Sequence, residues 1–185
     1  MASFWTGLGA VRRDVFKAIG GFDETIAFME DVDLGLRLQR KGHSIVLCHD
    51  AFGTHLKQWT LGSMLQTDLF GRAIPWSRLI TAPDNKDIPT PLTAGPRGKL
   101  SVIAVAVSLI GLPLSLFLSP WAILTALLAL GGLIALHSGF FSLLRQAGKP
   151  GDRLAAIGIL WLIYLMAGLG YAYVLAERII RLSDH

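Results

Sequence analysis

At 185 residues and 52% apolar composition, with a mean hydropathy of +0.53, the chain has room for one or two domains and is too apolar to be an ordinary soluble one throughout. Its net charge of +4 does not point to nucleic acid, because the surplus Lys and Arg flank apolar runs and do not form a basic, aromatic-rich face. Residues 1–98 carry 11 Lys/Arg against 10 Asp/Glu, whereas residues 99–185 carry 6 against 3 in long uncharged stretches, so the two halves differ chemically.

The N-terminal "MASFWTGLGAVRRD" lacks the basic segment and long apolar core of a signal peptide. "AVRRDVFKAIGGFDE" predicts a short helix stopped at Gly20-Gly21, since glycine tolerates the left-handed backbone of a helix end. Five acids then crowd into eleven residues: Asp23, Glu24, Glu30, Asp31 and Asp33.

From Asp31 to Gln39 apolar residues alternate as in a strand, yet acids open the segment, Arg37, Arg40 and Lys41 close it, and Gly42 follows. That charge order suits a helix dipole, so the segment reads as a helix buried on two sides. Acids in a first helical turn are an ordinary structural feature. On a helix, moreover, Asp31 and Asp33 diverge, so Asp31-Val32-Asp33 makes a poor metal pair.

"SIVLCH" reads as a buried strand enclosing Cys48, the single cysteine, which can form no internal disulfide. Past His55 and "LKQWT", Leu61, Leu65 and Leu69 recur every four residues; with Phe70, Ile74 and Trp76 they predict an amphipathic helix suited to the membrane interface. Residues 81–98, with four prolines and two glycines, form a linker.

Three uncharged stretches, Leu100 to Leu118, Pro120 to Leu144 and Leu154 to Ala176, are each long enough to cross a bilayer. Ser119-Pro120 turns the first into the second. Arg97 and Lys99 precede the first stretch, and Arg145, Lys149 and Arg153 follow the second, which predicts that face to be cytoplasmic; a third crossing then leaves Arg178 and Arg181 outside. His137 reads as an interfacial or helix-packing residue, and Gly131-Gly132, with Ala129 and Ala135, as a site of close helix approach.

Taken in order, "FWTGLGAVRRDVFKAIGGFDE", "MEDVDLGLRLQRKGH" and "THLKQWTLGSMLQTDLFGRAIPW" resemble the C-terminal half of the catalytic domain of family 2 glycosyltransferases tethered by C-terminal membrane helices. The resemblance covers about Phe4 to Ile80. It implies an α/β architecture, half of a type A glycosyltransferase domain over residues 1–80, followed by the 81–98 linker and a membrane domain of three transmembrane helices over 99–185.

It further implies inverting transfer from a nucleotide-sugar donor, with Asp31 as catalytic base and Glu30 beside it, since a sugar hydroxyl needs its proton removed as it attacks. Gly7 and Gly9 would line the substrate cleft. His55 would bind metal or diphosphate. Gln58 and Trp59 fall where processive relatives carry a Gln/Arg-rich motif ending in tryptophan, a partial match that does not support processive synthesis.

A divalent cation, Mg or Mn, is expected in the complete enzyme, yet this chain has no convincing site for it, and the donor-binding half expected before these motifs is absent. The expectation is therefore a multi-pass protein of the cell's inner membrane, its catalytic part cytoplasmic and its acceptor lipid-linked, inactive without the donor half. The alternative is a non-catalytic membrane subunit or degenerate remnant that binds a partner or lipid phosphate.

Overall fold

The computed structural model describes residues 4–54, 56–82, 95–117 and 121–183, and among them every regular element is a helix. The expected α/β half-domain is therefore corrected. A strand exists only when a neighbouring strand takes up its N–H and C=O groups, and among the described residues no such ladder forms at residues 44–48. Ile45 alone packs, against Gly35; Val46 and Leu47 are 76% and 67% exposed and Cys48 is exposed, so it is no buried strand residue.

The head opens with a 3-10 turn, Thr6–Leu8, then α1, Arg13–Ala18. Gly20 and Gly21, at φ 85° and 70°, end α1 as expected, with the Gly21 N–H donating to the Phe16 carbonyl at 2.9 Å. Next comes α2, Glu30–Arg40, a helix despite the alternating pattern. Leu34 and Leu38, one turn apart, are buried, and Gly35 between them lets the Phe4 backbone and Ile45 close in.

Thr60 and Ser63 form a reciprocal capping box that starts α3, Leu61–Gln66. The helix runs through a π-helical stretch, Thr67–Ala73, into α4, Ile74–Thr81. Pro75 explains the widened turn. It has no N–H to give and its ring crowds the carbonyl four residues back, so the backbone loosens and the Ile74 N–H reaches Leu69 instead. The composite helix leaves Leu61 and Phe70 exposed but buries Asp68, Gly71, Ile74 and Ser77.

In the apolar half, α5 is Pro96–Phe117, α6 is Trp121–Leu136, α7 is Ser138–Ala147 and α8 is Pro150–Ser183. The expected second span is bent by 69° at His137. Among the described residues two helices, α5 and α8, are thus long and apolar enough to cross a membrane, or three spans result if α6 and α7 form one bent span. Ser119-Pro120 lies outside the described residues, as does most of the linker.

Val105, Leu133 and Tyr164 join α5, α6 and α8 in a common core. Close approach occurs elsewhere than expected. Gly111 sits against Ala122 and Ala126, and Gly168 against Val102, whereas a Cβ at Gly131 or Gly132 would meet nothing within 4 Å.

The bend at His137 is held by fully buried Ser101, which donates to the Arg97 carbonyl at 2.9 Å and lies 3.0 Å from His137 Nε2. When its one proton is given to Arg97, the hydroxyl oxygen can accept from a His137 Nε2–H. The Tyr164 ring packs 5.2 Å away. Ser101→Ala strands that N–H and is expected to cost about 0.5–2 kcal/mol, read as a lowered thermal midpoint in detergent; an unchanged midpoint would show that the hub is dispensable.

Candidate functional site

The acids of the head divide by what already holds them. Asp23 is a turn residue: its Oδ1 accepts from the Thr25 N–H at 2.9 Å and the Thr25 hydroxyl at 2.6 Å, and those bonds hold its carboxyl below the ordinary value. Asp33 is clamped by Arg37, whose Nε donates to Oδ2 at 2.7 Å. The same guanidinium donates to the Ile19 carbonyl at 2.8 Å and the Gly21 carbonyl at 2.7 Å, so one half-buried arginine ties the α1 turn to α2.

Asp31 is different. One oxygen accepts from the Val32 N–H at 2.8 Å, satisfying a donor that the first turn leaves without a helical acceptor. No cation pairs with Asp31 or Glu30 among the described residues.

Met29, immediately before them, has φ 68° and ψ 24°, the single non-glycine residue with positive φ among the described ones. A left-handed backbone costs a side-chain-bearing residue about 1–2 kcal/mol. The strain lies where the chain swings into α2 and presents its acids. Nothing in the composition or spacing of the sequence announced it.

Two surroundings converge on this helix start. Gly35 lies one turn after Asp31 on the same face, and Phe4, seated on Gly35, also lines an open groove of about 480 Å3 with Gly9, Val11, Arg13 and Phe16. Asp31 does not line this groove. Gly7 serves packing, since a Cβ there would overlap the Trp5 ring.

On the other side, Phe28 rests on Gly71 of the π-helical stretch. There Asp68, with 8% of its side chain exposed, pairs with Arg72 at 2.7 Å. Trp59 carries Lys57 Nζ 3.9 Å from its ring centre and Arg72 5.9 Å away, a cation-flanked aromatic face that the sequence motif alone did not disclose. Gln58 is exposed, and His55 lies outside the described residues.

For the expected Mg or Mn ion, no three His, Cys, Asp or Glu side chains converge among the described residues. The donors of the described residues do not by themselves make a divalent-cation site, and His55, the expected ligand, lies outside them.

A protein with an acid-bearing head and apolar helices long enough to cross a membrane is the class these features define. Over 71 residues the chain is 34% identical to the O-antigen chain rhamnosyltransferase WbaN of Salmonella anatum, a match covering 36% of this chain and 22% of that protein. The aligned part is thus about a fifth of that relative's length, and the likeness is to a glycosyltransferase in part. No family model matches the chain, and no solved structure does.

Proposed function

We propose that the chain belongs to a glycosyltransferase that moves a sugar from a nucleotide-sugar donor to a lipid-linked acceptor at the cytoplasmic face of the inner membrane. The observation that carries this reading is the division among the acids. Asp33 is consumed by Arg37, while Asp31, on the same first turn, has no cationic partner among the described residues. The partial likeness to a rhamnosyltransferase supports the class of reaction.

In this mechanism the acceptor hydroxyl attacks the anomeric carbon from the face opposite the leaving group. Asp31 takes the hydroxyl proton. The bond from the anomeric carbon to the diphosphate oxygen breaks, the nucleoside diphosphate leaves with the electron pair, and the configuration inverts. Gly9 and the Trp59 face, with Glu30 beside the base, are the surfaces on which the sugars would rest.

Membranes from cells expressing the intact gene, given a panel of radiolabelled nucleotide sugars, are expected to place label in the organic-extractable lipid fraction. Absence of transfer from every donor, with the protein present and folded, would favour the non-catalytic membrane subunit instead.

A further inference from the structure

We infer that the head is seated on the C-terminal part of α8, and that the acidic head and the C-terminal end of α8 therefore lie on one face of the membrane. Two contacts and one packing order carry this. Gly170 receives the other helix at backbone distance: a Cβ there would come within 2.6 Å of Ala73 Cβ, 2.9 Å of the Ala73 carbonyl carbon and 3.0 Å of the Ile74 nitrogen. Two turns on, Arg78 pairs with Glu177 at 2.9 Å, across 99 residues of sequence.

The third is the order of contacts between α5 and α8. Trp161 donates to Ser108, Tyr164 packs on Val105, and Gly168 meets Val102. As α8 advances, its partners recede along α5, so the two helices run in opposite senses. The C-terminal end of α8 then lies toward Arg97, the end of α5 that the linker reaches.

The ion pair is half exposed on its Arg78 side, 54% against 25% for Glu177, and such a pair contributes little alone. The backbone seat at Gly170 is what fixes the position. On this arrangement Arg178 and Arg181 join Arg97 and Lys99 on one face and the chain crosses an even number of times. The opposing signal is the basic run Arg145, Lys149 and Arg153, which with three crossings would put Arg178 and Arg181 on the far side. None of this depends on sugar transfer.

Cys48, exposed in the head, is a native reporter. A membrane-impermeant maleimide should give Cys48, and Leu182→Cys in a Cys48→Ser background, the same pattern in intact cells and the same pattern again in inverted vesicles. Ala73→Cys with Gly170→Cys, free of Cys48, should cross-link on mild oxidation in native membranes. Should the cysteine at Gly170 disturb packing, Arg78→Cys with Glu177→Cys should be bridged by a short bismaleimide. Opposite labelling of the two reporters, or failure of both cross-links in folded protein, overturns the inference. Labelling of both from outside upholds it while overturning the cytoplasmic placement proposed above.

Discussion

Asp31→Asn is expected to lower sugar transfer by about 10²–10⁴-fold, the usual contribution of a positioned general base, in membranes expressing the intact gene. The thermal midpoint should scarcely move, because the amide keeps the shape of the acid and its carbonyl oxygen can still accept from the Val32 N–H. Asp23→Asn is the control. That carboxylate spends itself on Thr25 and should matter little for transfer. Transfer is measured at saturating donor with thermal unfolding alongside. Near-normal activity in Asp31→Asn, or equal losses in the two variants, would return the acids to a purely structural role.

Arg37→Ala should be the most damaging exposed-to-intermediate substitution in the head, costing about 2–4 kcal/mol. It removes charge-assisted bonds to Asp33 and to the Ile19 and Gly21 carbonyls at once, and releases the α1 turn from α2. Arg37→Lys should recover less than half of that, since an ammonium cannot reproduce the planar fork that spans three acceptors. Thermal unfolding reads the loss, and limited proteolysis should find the Gly20-Gly21 turn newly open. A small shift in both would mean that the loop is held by something other than this clamp.

The helix that carries the acids was legible beforehand. Acids at the start and Arg37 and Arg40 at the end said that α2 is a helix, against the alternation of its leucines, because the dipole acts within the segment itself. Which acid would be tied down was not legible, since the Arg37 clamp depends on carbonyls 16 and 18 residues away. Met29 likewise looks like any other methionine until the fold forces its backbone left-handed.

Local chemistry by itself determined the glycine stop at Gly20-Gly21, the Thr60 cap and the apolar lengths of the membrane half, all of which act over a few residues. Only the tertiary structure decided the rest. Residues 44–48 have the apolar residues of a strand but no ladder partner among the described residues, and pairing is never a property of one segment. An apolar run of sufficient length says nothing of where it bends; the break at His137 is held by Ser101 from another helix. Glycines 111, 168 and 170 are no different in sequence from 131 and 132, yet the first three admit a neighbour and the last two face open space, because close approach belongs to a pair of helices.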